Sequence, residues 1–161
     1  MIKFVRVDHR LLHGQVAFSW SKFLGIDCIL LASDALVKDE LKMMAVKIAK
    51  PQNIKLVIKN IDDSIKAINS GATDKYKLFI ICETIEEAAR LAKETNGITS
   101  INLGGTRQSE DKKQISKAVF VSKEDEAVLA DLLDRGIDIN MQLVPNDTKT
   151  AYTQALGGEH E

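Results

Sequence analysis

A doubly wound α/β domain, with a mainly parallel seven-stranded sheet and helices on both faces, is the fold class that this chain predicts. Three observations carry that expectation. The 161 residues fit one compact domain, since a domain takes roughly 150 residues. Short β-branched runs alternate with longer amphipathic segments along the whole length. The junctions between them carry helix caps, glycines or a proline. Alternation at this spacing leaves a parallel sheet with right-handed helical crossovers as the solution.

The elements follow in order. A first strand covers residues 2–8, and a charge-rich turn leads into a helix that runs to about Leu24 and stops at Gly25. A second strand takes 27–32. The helix after it, about 35–49, ends at Lys50, because Pro51 cannot continue a helix and restricts the residue before it. A third strand spans 54–59, and the SIKAI run forms a helix closed by Gly71. The fourth strand, 77–82, is followed by Thr84 placed three residues ahead of Glu87, a hydroxyl cap with an acid behind it. That helix closes at Gly97, and a fifth strand covers 99–103. A sixth strand at 118–121 leads to Ser122, which caps the next helix three residues ahead of Asp125; Gly136 ends it. The last strand is 138–144. Beyond Pro145 a polar segment holds one short helix near 149–156 and frays from about 157. Six helices thus connect seven strands, most of them near-continuous apolar runs of the kind buried on both faces.

Composition narrows the function. Lys+Arg number 22 against 23 Asp+Glu, and the aromatics are five Phe, two Tyr and one Trp. Such a chain lacks the basic face and stacking platforms of nucleic-acid binders. No apolar run approaches the roughly 18 to 20 residues of a membrane span. The amino terminus enters a strand directly, without a signal-peptide apolar segment, which points to the cytoplasm. Cys28 and Cys82 lie in apolar runs, where a thiol packs as a small hydrophobe; a disulfide between them is the less favoured alternative.

In sheets of this kind ligands bind beyond the carboxyl ends of the strands, where strand order reverses, and the first strand usually flanks that point. The loop there reads Asp8-His9-Arg10-Leu11-Leu12-His13-Gly14-Gln15 and holds two of the three histidines in the chain. An imidazole at a helix amino terminus meets the positive end of the helix dipole, which favours its neutral, nucleophilic form. After it accepts a phosphoryl group, the helix N–H groups and a guanidinium stabilise the new dianion. Asp8 would hydrogen-bond a ring nitrogen or hold Arg10 in place. A packing or capping histidine is the plain alternative, and so is a module that holds a phosphorylated metabolite without a covalent bond.

Other chemistries fit less well. His9 and His13 have metal-ligand spacing, but no Glu lies between them and Arg10 would repel a cation, so no metal is expected. Gly104-Gly105 follows the fifth strand on the same sheet edge and forms either an anion-lining turn or a plain connection. No G-x-G-x-x-G follows the first strand, which argues against a dinucleotide cofactor. Asp34 reads as a turn or cap residue rather than a receiver-type phosphoacceptor. Trp20, Met43 and Met44 read as packing groups. Leu11, Leu12 and Val16 are core or docking surface, with core favoured for at least one.

The stretch Val5-Arg6-Val7-Asp8-His9-Arg10-Leu11-Leu12-His13-Gly14-Gln15-Val16 resembles the active loop of the IIB subunits of the mannose/fructose/sorbose class of the bacterial sugar phosphotransferase system. The likeness continues through Asp34, the Asn102–Gly105 segment and the Gln-x-Val-Pro run from Gln142 to Pro145, so it covers essentially the whole chain as one IIB domain, residues 1–161. It implies a phosphotransferase subunit, a phosphocarrier in the cytoplasm beside a membrane sugar transporter. His13 would take a phosphoryl group from a IIA histidine and pass it to a sugar delivered by membrane IIC and IID components. Arg10 and Gly14 would stabilise the phosphate, with Asp8 and Gln15 in support and Gly104 and Gly105 as a second loop. No cofactor is implied. Position 9 is more often aspartate in that family, so His9 removes an anion beside the loop and tunes it.

Overall fold

The computed structural model describes residues 1–159, with side chains through residue 155. Nine strands and six α-helices appear among the described residues: β1 (Ile2–Asp8), α1 (Gly14–Leu24), β2 (Cys28–Ala32), α2 (Glu40–Ala49), β3 (Lys55–Lys59), α3 (Ile61–Asn69), β4 (Leu78–Cys82), α4 (Ile85–Glu94), β5 (Ser100–Gly105), β6 (Lys113–Ser116), β7 (Val119–Val121), α5 (Lys123–Asp134), β8 (Asp138–Met141), β9 (Thr150–Ala151) and α6 (Tyr152–Glu159). The main sheet has seven strands in the order β3-β2-β4-β1-β5-β8-β9. All are parallel except β9, which runs antiparallel to β8 at the edge.

The sheet is buried on both faces. Leu11, Leu12, Ala17, Trp20, Leu36 and Val46 pack with Ile29, Leu31, Phe79 and Ile81 on the face covered by α1 and α2. On the other face Val5, Val7, Leu30 and Ile80 meet side chains of α3, α4, α5 and α6, among them Ile61, Leu91, Leu129 and Tyr152. This two-sided burial explains why β2 and β4 are apolar throughout, CILLA and LFIIC. The local signals act as expected at several ends. Thr84 accepts the N–H of Glu87, and Ser122 and Asp125 form a complete capping box. Lys50, ahead of Pro51, turns extended after α2.

Several expectations need correction. The segment 118–121 does not join the main sheet. Its core, Val119–Val121, pairs antiparallel with Lys113–Ser116 as a separate two-stranded ribbon, tied to the end of β5 where Thr106 Oγ1 donates to the Phe120 carbonyl at 2.7 Å. The polar run KQIS gave no sign of β6. The seventh sheet strand is instead β9, two residues long, within the segment expected to be helical from 149. Five α-helices precede main-sheet strands, while α6 follows the last of them. The expected helix at 35–49 is broken, with a 3-10 turn at Leu36–Lys38 and α2 starting behind an Asp39 cap. The last strand stops at Met141 rather than 144, because the Gln142 carbonyl turns to accept from Arg6. Gly71 closes α3 as expected, at φ 83° directly after the Ser70 cap, whereas the helix before Gly97 ends earlier, at Thr95. Helix α6 runs on to Glu159, past the point near 157 where fraying was expected; the rest of that expectation falls on His160 and Glu161, which lie outside the described residues.

Cys28 and Cys82 are both free and buried. Cys28 is level with Leu78, four positions before Cys82 on the neighbouring strand, which separates them by about 13 Å along the strand axis and puts a disulfide out of reach.

From β1 the chain crosses toward β2, and from β5 it proceeds toward β8 on the opposite side. The strand order therefore reverses between β1 and β5, which are neighbours in the sheet. The carboxyl ends of these two strands set the position of the site.

Candidate functional site

Asp8 closes β1 with its side chain wholly buried. Its Oδ2 lies 3.0 Å from His13 Nε2 and accepts from Arg6 Nη2 at 3.2 Å. Its Oδ1 accepts the Arg10 backbone N–H at 3.0 Å. Burial alone would raise the carboxyl pKa, but the His13 hydrogen bond, the Arg6 guanidinium and the Arg10 amide outweigh it and hold Asp8 at about 2. An ionised carboxylate only accepts, so the His13 nitrogen facing it carries the proton and Nδ1 holds the lone pair.

The loop that presents His13 is tightly specified. Leu11 N–H donates back to the Asp8 carbonyl at 2.9 Å, which closes a turn over His9 and Arg10. Leu11 then adopts φ 58°, a left-handed conformation costly for a leucine. Leu11 and Leu12 are both 3% exposed or less, so both are core, and their burial offsets that strain. Val16 packs partly against the same cluster. His13 is the N-cap of α1 with extended backbone, yet its side chain makes no cap hydrogen bond. The first turn of α1 carries no acidic residue, whereas α2, α3, α4 and α5 each carry at least one. The amides of the first turn, Gly14 included, are thus left without a side-chain acceptor. Gly14 at φ 40° suits a backbone that other residues enter at a cost.

A brace beneath the loop was not anticipated as part of the site. Arg6 is 1% exposed. Its Nη1 donates to Asn102 Oδ1 at 2.7 Å and to the Gln142 carbonyl at 3.0 Å, and its Nη2 reaches Asp8. Burial lowers the Arg6 pKa from its ordinary value, against the pull of Asp8. Asn102 Nδ2 also donates to Asn140 Oδ1 at 3.1 Å, so β1, β5 and β8 are tied together at one level. The guanidinium rests against Gly104, where an added Cβ would stand 2.0 Å from Arg6 Cζ. Gly104 and Gly105 therefore do not form the expected turn. They finish β5, one making room for Arg6 and the other accepting the His9 N–H at 3.0 Å. One signal for this brace was legible, a charged Arg6 inside the otherwise apolar run FVRV.

The remaining candidates are placed as follows. Arg10 is half exposed, with Nε 3.6 Å from Asp8 Oδ1. Gln15 is exposed on the first turn of α1. His9 sits beside the pair, with Nδ1 4.0 Å from Asp8 Oδ1. Asp34 accepts the Ile61 N–H at 2.8 Å and so caps α3, in keeping with a cap role. Trp20 packs, as expected, and also donates Nε1–H to the Leu143 carbonyl at 2.9 Å. A second polar cluster went unforeseen. Buried Glu83, at the end of β4, accepts from Ser33 at 3.0 Å, Lys42 at 2.9 Å and Arg107 at 3.0 Å. Burial would raise its pKa, but these three donors hold it below the ordinary carboxylate value.

Fold and site together define an α/β domain that presents an oriented imidazole at an uncapped helix amino terminus, a place suited to phosphate. The family model for the sorbose-subfamily IIB component of the phosphotransferase system matches residues 2–161, and the chain belongs to that family. A probable phosphotransferase enzyme IIB component of Streptococcus pyogenes is 32% identical, with 97% of this chain and 99% of the relative aligned. The mannose-specific EIIAB component of Escherichia coli is 27% identical over 92% of this chain and 46% of its own length. The crystal structure of the IIBSor domain of the sorbose permease from Klebsiella pneumoniae superposes with a TM-score of 0.93, covering 98% of this chain and 97% of that one. At 22% identity that last likeness speaks for the fold. As a IIB component the protein is a phosphotransferase and a phosphocarrier in sugar transport. No helix among the described residues is long and apolar enough to cross a membrane.

Proposed function

We propose that Nδ1 of His13 accepts a phosphoryl group from a histidine of a IIA component and passes it to a sugar presented by membrane IIC and IID components. The observation that carries this reading is the 3.0 Å pairing of His13 Nε2 with buried Asp8 at the uncapped start of α1. Asp8 fixes the proton on Nε2 and directs the Nδ1 lone pair outward. As the N–P bond forms, positive charge develops on the imidazole, and the neighbouring carboxylate stabilises it. Arg10, half exposed and only loosely held by Asp8, turns to the phosphoryl oxygens, while the first-turn amides of α1 receive the remaining charge. Arg6 never meets the phosphate; it keeps Asp8 in position.

The IIA donor is supported by the Escherichia coli EIIAB relative, whose name joins the A and B components and whose chain extends well beyond the matched region. The family match over 2–161 supports a single IIB domain acting in the cytoplasm beside the transporter. Incubation with phosphoenolpyruvate, the general phosphotransferase proteins and a IIA subunit, followed by intact mass, tests the assignment. One acid-labile phosphate on wild type and none on His13→Ala is expected; a phosphate retained by His13→Ala refutes the site.

A further inference from the structure

His9 stands where its charge state and the phosphorylation of His13 act on the same carboxylate. Its backbone N–H is fixed to Gly105, and its ring packs over that glycine, where an added Cβ would lie 3.5 Å from Nδ1. The ring is 28% exposed, yet Nδ1 is buried without a hydrogen-bond partner and faces Asp8 Oδ1 at 4.0 Å. The same oxygen has Arg10 Nε nearer, at 3.6 Å. Two basic side chains thus face Oδ1, one with an open path to solvent and one confined. Asp8 is the anion facing His9, and Arg10 and Arg107 are the cations, Arg107 being held by Glu83 at 3.0 Å. Burial, with the two arginines, outweighs the opposing pull of the Gly105 backbone and of Asp8 and holds the His9 imidazole below its ordinary pKa in the unmodified protein.

We propose that His9 takes up a proton when His13 is phosphorylated and replaces Arg10 as the side-chain cation on Oδ1 of Asp8, while Arg6 stays on Oδ2. This inference rests on the phosphocarrier reading of His13. In the transfer, the Nδ1 lone pair of His13 forms the new N–P bond, and the donor's N–P bond breaks with its electron pair left on the donor imidazole. Arg10 then leaves Oδ1 for the phosphoryl oxygens. The phosphoryl dianion, less the positive charge that develops on the His13 ring beside Oδ2, leaves the site one negative charge richer, and Oδ1 has lost Arg10; both changes favour imidazolium at His9. The proton comes from solvent at the exposed edge of the ring. With both nitrogens protonated, Nδ1–H becomes a donor aimed at Oδ1, which fills the vacancy and satisfies the one ring atom that lacked a partner. His9 is in this account a positioning residue, since it touches neither phosphate nor sugar.

Proton uptake makes the transfer equilibrium pH-dependent. Lower pH favours the phosphorylated protein, by about tenfold in all across the His9 titration for a midpoint shift of about one unit. The donor's own titration is common to wild type and His9→Gln, so the difference between them isolates His9.

The test follows the Cε1–H resonance of His9 by NMR from about pH 5 to 9 in wild type, in phosphorylated wild type and in unphosphorylated Arg10→Gln. The expected result is a midpoint raised by about one unit on phosphorylation, and raised also in Arg10→Gln, where no phosphate is needed. The equilibrium for transfer from phosphorylated IIA falls more steeply with rising pH in wild type than in His9→Gln. A midpoint that does not rise on phosphorylation, or equal pH slopes in the two proteins, overturns the proposal. Should intact mass show no phosphate on His13, the phosphocarrier reading is what fails. The Arg10→Gln arm still decides the exchange at Asp8, because an unmoved His9 midpoint there refutes it.

Discussion

Gly104 leaves the space that the Arg6 guanidinium fills, so that an added Cβ would sit 2.0 Å from its Cζ. Arg6 cannot step aside, because Asn102, Gln142 and Asp8 hold its other edges. Gly104→Ala is therefore expected to destabilise the domain by about 1–3 kcal/mol, the usual cost of overpacking, and to slow phosphoryl transfer by shifting Asp8. A urea midpoint equal to that of wild type would show that Arg6 is not confined there.

Asp8 links the site to acid stability. Its folded pKa of about 2 lies below the ordinary 3.8, so its contribution is complete above pH 4 and is lost as pH falls through the folded value. The depression corresponds to about 2 kcal/mol. Asp8→Asn should flatten the stability profile between about pH 4 and 2, while lowering stability at neutral pH because buried Arg6 loses its counter-charge. Denaturant unfolding at a series of pH values reads both effects, and a profile as steep as that of wild type would mean that another carboxylate dominates.

Arg10 should separate catalysis from folding. Its side chain is half exposed and makes only a long contact with Asp8, so Arg10→Ala leaves the thermal midpoint within a few degrees of wild type. Transfer from phosphorylated IIA should slow by roughly a hundredfold, in line with loss of one preorganised charge donor. Near-normal rapid-quench kinetics would remove Arg10 from the mechanism.

Trp20, the one tryptophan of the chain, stacks on Phe4 with ring centroids 4.5 Å apart and holds the segment that follows β8 through the Leu143 carbonyl. Trp20→Phe preserves the stack but leaves that carbonyl unpaired, a loss of about 1 kcal/mol. Hydrogen exchange should quicken between Gln142 and Asp147, a segment held by the Gln142 amide. Unchanged exchange would show that the tryptophan N–H is not what anchors it.

The part of this site that lies in one stretch of chain was legible beforehand. Asp8 through Gln15 joins a strand end to a helix start, and the missing acid after His13 is visible in the sequence as Gly14-Gln15-Val16. The placement of that loop at the strand-order reversal followed from alternation alone, since β1 is central in such sheets. What stayed hidden depends on register across the sheet. Arg6 meets Asn102 and the Gln142 carbonyl only because β1, β5 and β8 stand level at that height, and no local signal in a single strand encodes its neighbour's offset. The double glycine after Leu103 looked like a turn because glycine usually marks one, whereas here one of the pair answers to a guanidinium from another strand. The strand β6 and its pairing with β7 escaped because KQIS offers a single apolar residue, Ile115, to pack on the core.

The central claim is that buried Asp8 fixes the proton on Nε2 of His13 and so directs the phosphoryl group to Nδ1. Phosphorus–nitrogen couplings in protein carrying nitrogen-15 histidine, phosphorylated through IIA, read this directly. The account predicts phosphorus coupled to Nδ1 of His13, with Nε2 still protonated toward Asp8. Phosphorus on Nε2 of His13, or on His9, would contradict it.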